Sequence, residues 1–143
     1  MGDIMIITDT EYGLENEIVI NNIEELNSID VIPDIINLTH IDNKKDFKIL
    51  LNYLKKLKGK ILIINDKDKY LKRIFYRYLD IYRYGNNIYD DIEYIKKDKI
   101  IFKYDSNKYE INNTNDSILG LILIKLIQKN NIEEILNSLE KTS

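Results

Sequence analysis

The chain of 143 residues contains no cysteine, no tryptophan, one proline, five glycines and a single histidine. Without cysteine there is no disulfide framework, no thiolate metal cluster and no cysteine nucleophile, which suits a reducing compartment. With His40 as the only histidine, a multi-histidine metal site is excluded, and a Ser-His-Asp relay would have to be built around that residue. The opening Met1-Gly2-Asp3-Ile4-Met5-Ile6-Ile7 lacks a basic n-region and meets Asp9 too early for a signal peptide. The longest nearly apolar run, Ile118–Ile127, is about half of what a membrane span needs. These absences predict a cytoplasmic protein without a membrane partner. Gly-x-Gly-x-x-Gly is missing too, and Gly59-Lys60 precedes an apolar run where a Walker lysine would follow one.

What is present is a composition of 44% hydrophobic and 31% charged residues, enough to offset the entropy of ordering in one domain spanning 1–143, apart from a short tail at 141–143. The net charge of −3 gives no global attraction to nucleic acid. Lysine and arginine are dense in 44–60 and 67–83, but they alternate with apolar residues at helical spacing, as on a solvated helix face. Tyr76, Tyr78, Tyr82 and Tyr84 mix with Arg73, Arg77 and Arg83 in a pattern that can stack bases. Tyr78 and Tyr82 fall on a core stripe, however, so no nucleic-acid partner is expected.

Residues 3–8 form a short apolar run that reads as a buried strand feeding the loop Asp9-Thr10-Glu11-Tyr12-Gly13. A helix is predicted over 15–27 from Ile18, Ile23 and Leu26, with Ile18-Val19-Ile20 as a competing strand. Residues 34–38 read as a second strand opening into Thr39-His40. Phe47, Leu50, Leu51, Leu54 and Leu57 repeat at helical spacing and end at a Gly59 C-cap. A third strand over 60–64 runs into Asn65-Asp66-Lys67-Asp68. The stripe Leu71, Ile74, Phe75, Tyr78, Leu79 and Tyr82 predicts another helix, closed by Gly85. Residues 100–104 and 108–111 flank Asp105-Ser106-Asn107 as a β-hairpin. A buried helix over 116–128 and an amphipathic one over 132–139 complete the chain. The expected fold is an α/β, Rossmann-like three-layer arrangement: a mainly parallel sheet, helices on both faces, and a C-terminal antiparallel hairpin.

In such sheets ligands bind where strands end, so the candidate positions are Asp9–Gly13, Thr39-His40 and 65–68. Each has a plain alternative. Asp9 fits a ribose binder or a helix cap, and His40 a proton carrier or a structural residue. Asp66 and Asp68 fit a Mg²⁺ pair or, beside Lys67 and Lys69, a solvated loop, and no metal site is expected.

Three of these loops together resemble the N-terminal domain of the S-adenosyl-L-methionine hydroxide adenosyltransferase, fluorinase and chlorinase family. Thr8-Asp9-Thr10-Glu11-Tyr12-Gly13 is similar to the family's T-T-D-F-G with two residues inserted, and Ile35-Ile36-Asn37-Leu38-Thr39-His40 to its strand ending D-[IL]-T-H. Ile64-Asn65-Asp66 with Arg73 resembles the family's spaced Asp and Arg, although the intervening glycines are absent. Asn112-Asn113-Thr114-Asn115-Asp116 stands where the family has T-F-H-G-R-D, retaining only the Asp. The resemblance implies a nucleoside ligand, S-adenosyl-L-methionine or adenosine, held by Asp9, Thr10, Gly13, Thr39 and Asn113. Asp66, Arg73 and His40 would be the polar set for hydrolysing the former to adenosine and methionine. No cofactor is implied, since the sulfonium is itself the leaving group. A trimer is implied by the way the family builds its site, and the chain lacks the family's second, β-rich domain. Asn113 replaces a histidine, and an amide cannot accept the proton that an imidazole can. A non-catalytic nucleotide-binding or regulatory module is therefore the alternative. Asn115-Asp116-Ser117 ahead of an apolar helix, with Ile132-Glu133-Glu134, also faintly resembles the end of sugar kinases, without their phosphate-holding glycines.

Overall fold

The computed structural model describes residues 4–142, and side chains as far as 139, so Asp3 of the first expected strand and Ser143 of the tail lie outside the described residues. Eight strands make one sheet: β1 (Ile6–Thr8), β2 (Glu17–Val19), β3 (Ile35–Leu38), β4 (Ile61–Asn65), β5 (Asp80–Gly85), β6 (Ile92–Lys96), β7 (Ile100–Tyr104) and β8 (Asn107–Ile111). Their order is β2-β1-β3-β4-β5-β6-β7-β8. Pairings from β2 through β6 are parallel, while β6-β7 and β7-β8 are antiparallel. Three helices accompany the sheet: α1 (Lys44–Leu54), α2 (Ile118–Ile127) and α3 (Ile132–Thr142). The expected mixed α/β class, mainly parallel sheet and C-terminal hairpin are all present. Among the described residues no helix is long and apolar enough to cross a membrane.

Alternate residues along a strand point to opposite faces, and here they feed different cores. Ile7, Ile36, Leu38, Leu62 and Ile64 pack with Leu50, Tyr53 and Leu54 of α1. Ile6, Ile35 and Ile63 pack with Leu119, Ile122, Leu123 and Ile124 of α2 and Ile135 of α3. α1 begins at Asn43, whose side chain accepts a hydrogen bond of 2.9 Å from the Asp46 amide and so satisfies one orphan donor. Gly59 lies five residues past the helix end rather than capping it. Its φ of +81° forms the turn into β4, and its amide donates to the Tyr78 carbonyl at 2.7 Å.

Neither of two expected helices forms; each segment is a short 3₁₀ turn beside extended chain. Over 15–27 the competing reading holds at its start: β2 pairs with β1, and a 3₁₀ turn over Ile23–Ser28 follows, with Glu25 accepting from the Asn22 amide at 3.1 Å. The β-branched Ile18-Val19-Ile20 run suits the extended edge better than a helix. Over 71–82 only a 3₁₀ turn, Leu71–Arg73, forms; the chain then extends and enters β5. The stripe that looked helical is buried through Leu71, Ile74 and Leu79 all the same, because an irregular segment pressed on the sheet can bury residues at that spacing. Tyr and Ile are poor helix formers, and β5 gains a five-residue ladder with β4, from Ile61↔Asp80 to Asn65↔Tyr84. Strand β6 was not anticipated, although Ile92 and Tyr94 are buried at a period of two. Among the parallel connections of the described residues, only that between β3 and β4 carries an α-helix.

Candidate functional site

From β1 the chain moves to one side to form β2 and then to the other to form β3, so the C-terminal ends of β1 and β3 diverge at a switch point. Such crevices collect ligands in open α/β sheets. Here Asp9, the first residue after β1, bridges the gap. Its Oδ2 accepts from the Thr39 amide at 2.8 Å, the Thr39 hydroxyl at 3.0 Å and the His40 amide at 3.4 Å. Its Oδ1 accepts from the Thr10 hydroxyl at 3.3 Å. Burial holds the Asp9 carboxyl above the usual aspartate range, against the pull of these donors. Asp9 thus spends most of its acceptor capacity joining the two loops.

A cleft of about 510 Å³ opens above these strand ends, lined by Thr10, Thr39, His40, Asn65, Lys67, Asp68, Asn115, Asp116 and Ser117. It draws together the loops after β1, β3 and β4 and the start of α2. His40 Nδ1 lies 2.7 Å from Asp68 Oδ1, and Nε2 lies 3.1 Å from Asp42 Oδ1. Both ring nitrogens can donate only in the protonated ring, so a base role would require Asp42, three-quarters exposed, to swing away. Asp68 is anchored behind the histidine, its Oδ2 accepting from the Tyr70 and Leu71 amides at 3.1 and 3.0 Å. Asp116 accepts from the Tyr94 hydroxyl at 2.6 Å, and the Lys67 ammonium sits 5.0 Å from the centre of the Tyr94 ring.

Beneath the cleft floor is a buried polar patch. The Asn37 side chain donates to Thr8 Oγ1 and to the Tyr12 hydroxyl, each at 3.1 Å, and that hydroxyl donates to the Ser117 carbonyl at 2.6 Å. The patch ties the first loop to α2, and Gly120 lets the helix approach: a Cβ there would meet Asn37 Oδ1 at 2.7 Å and the Tyr12 hydroxyl at 2.9 Å. Burial pushes the Tyr12 hydroxyl up, so it stays protonated and can donate.

The expected residues divide accordingly. Thr10, Thr39 and His40 line the cleft and Asp9 supports its wall. Gly13 adopts a φ of +74° and gives its amide to Glu17 at 3.0 Å, serving the turn into β2. The Asn113 side chain accepts from the Asn115 amide at 2.8 Å and shapes the approach to α2. Asp66 and Arg73 line a neighbouring cleft but do not pair. Asp66 is held by Arg83 at 2.8 Å, while Arg73 lies over the Tyr70 ring at 5.7 Å. Arg83 stands there because its strand register sets it opposite Ile64, two residues before Asp66. Asp66 and Asp68, adjacent in the D-x-D reading, face different partners, and among the described residues no acidic or histidine cluster could hold a metal ion. Sequence reasoning missed Asp68 as the partner of His40; its position just ahead of an apolar turn was a capping signal. It missed Lys67, Arg83 and Asp90, the last hydrogen-bonded to Asp66, for which no local motif existed.

No protein-family model and no curated protein sequence matches the chain.

Proposed function

We propose that the cleft above β1, β3 and β4 binds a nucleoside, S-adenosyl-L-methionine or adenosine, without turning it over. The carrying observation is the convergence of Thr10, Thr39, Asn65 and Asn115 at the switch-point cleft, whose volume of about 510 Å³ falls within the range of small-molecule sites. Asp68, Asp116 and the nearby Asp42 offer negative charge to a sulfonium or α-ammonium group. On this reading the sheet and its two helical faces form a Rossmann-like three-layer arrangement. Binding without turnover is favoured because the groups expected to activate water are already engaged: Asp66 with Arg83, and His40 with Asp68 and Asp42.

Hydrolysis is the second reading, favoured by the 2.7 Å His40–Asp68 contact. Asp68 would orient the ring while Nε2, freed from Asp42, takes a proton from water. The water oxygen would bond to the 5′ carbon as the carbon–sulfur bond breaks and methionine departs with the electron pair.

Calorimetric titration with S-adenosyl-L-methionine and with adenosine, followed by chromatography of an overnight mixture, separates the readings. Binding with no adenosine released supports the module. Adenosine release that His40→Ala abolishes supports the hydrolase. No binding by either ligand sinks both. Phosphate transfer from ATP to ribose would instead support a sugar-kinase-like reading, for which the placement of Asp116 in this cleft is the favourable feature.

A further inference from the structure

The loops after β4 and β5 enclose a second cleft, of about 580 Å³, lined by Asp66, Lys67, Lys72, Arg73, Phe75, Asn86 and Asn87. It meets the first only at Lys67. In a chain with a net charge of −3, this cleft gathers three cations, Lys67, Lys72 and Arg73, and among the described residues none of them is in a salt bridge. The one carboxylate in the lining, Asp66, is already neutralised by Arg83, whose second amino group is also tied down by the Ile74 carbonyl. The local field is therefore positive: Lys67 and Arg73 meet the Tyr94 and Tyr70 rings, and among the described residues no carboxylate forms a salt bridge with any of the three. Phe75 stands 74% exposed, an unusual position for a phenylalanine. The guanidinium of Arg83 sits 4.4 Å from its ring centre, which fixes the ring while leaving much of it open.

We propose that this cleft is a separate binding site for a small phosphate monoester that carries a planar ring. Arg73, with its planar fork, and the point charges of Lys67 and Lys72 take the phosphate; Phe75 takes the ring. Asn86 and Asn87 line the cleft from the loop after β5, and their side-chain amides would meet polar groups between the two. A nucleic-acid strand fits less well, because three cations on an acidic protein provide no continuous track for a backbone. The site is independent of the nucleoside reading of the first cleft.

The test is titration calorimetry with phenyl phosphate, a ring-bearing monophosphate, and with inorganic phosphate and phenol as further probes, backed by amide chemical-shift mapping. The monophosphate should bind at least about tenfold tighter than inorganic phosphate, as expected when stacking adds to charge-assisted hydrogen bonds, and should weaken as salt is raised. Arg73→Gln should weaken the monophosphate about tenfold and Phe75→Ala should reduce its advantage over phosphate, each with an unchanged circular dichroism spectrum, because both side chains are exposed. Lys108→Gln, which removes an exposed cation of β8 at the far edge of the sheet, should change nothing. The inference is overturned if the monophosphate fails to bind, if His40→Ala weakens it while Arg73→Gln does not, or if shifts map to Thr10 and Thr39. A single-stranded oligonucleotide binding more tightly than the monophosphate would also overturn it, by assigning the cations to a strand.

Discussion

The C-terminal ends of two parallel strands, β1 and β4, each lead into an anchored aspartate, and they hold it differently. After β1, Asp9 is held mainly by backbone amides and a neutral hydroxyl of the loop after β3. After β4, Asp66 is held by a side-chain cation, Arg83, and faces a second carboxyl, Asp90. Donors of the first kind do not titrate, so that junction is fixed by chain geometry. The second depends on a balance of charges, and the Asp90 carboxyl is pushed up to about 7 by burial, then by its hydrogen bond with Asp66 and by that residue's charge. The β1 end is joined by donors that carry no charge, and the β4 end by a balance of charges that shifts with pH.

The strongest way to break the β1 junction is from behind. Gly120→Val places carbon where Asn37 Oδ1 and the Tyr12 hydroxyl already stand, so α2 must move. A loss of about 3 kcal/mol in urea unfolding is expected, at the upper end for an overpacked core. Next is Asp9→Ala, which strands the Thr39 and His40 amides; a loss of about 2 kcal/mol is expected, with Asp9→Asn costing less because one oxygen is retained.

The responsive junction gives a smaller effect with a distinctive shape. Because the folded state raises the Asp90 carboxyl above its unfolded value, the folded protein holds the extra proton between about pH 4 and about pH 7. The contribution of Asp90 to stability is thus full below that window and is lost as pH rises through it. Asp90→Asn should flatten the stability profile there and raise stability above the window relative to wild type, as read by denaturant midpoints across a pH series. If the mutant profile keeps the same slope, the contrast between the two ends fails. The smallest expected effect is that of His40→Ala: its ring is 63% exposed, and the buried Asp68 carboxylate keeps the Ile41, Tyr70 and Leu71 amides when the ring is removed, so a change within about 0.5 kcal/mol is expected.

How much of this was visible in the chain depends on sequence distance. The ends of β1, β3 and β4 were legible because each apolar run stops at a polar residue, and the strand expected over 108–111, observed as Asn107–Ile111, was legible from its turn residues. The helix over 71–82 was not, because the spacing of buried residues is shared by a helix and by an irregular segment draped on a sheet, and only the ladder with β4 selects between them. Strand β6 follows two aspartates and runs out into Lys97-Asp98-Lys99, so its alternation of Ile92 and Tyr94 gave too few periods to stand out. In the sites, Thr10, Thr39 and His40 were found because they follow directly from strand ends. Their partners were not, since Asp68 lies 28 residues from His40 and Arg83 lies 17 from Asp66.

Local chemistry and continuous apolar runs were enough to set where β1, β3 and β4 stop, that Gly59 takes left-handed backbone, and that α2 is buried on nearly every face. Only the tertiary structure decided which acid meets which cation. Strand register placed Arg83 beside Asp66 and left Arg73, Lys72 and Lys67 unpaired around a second cleft, and a pairing across strands has no signature in the spacing along one.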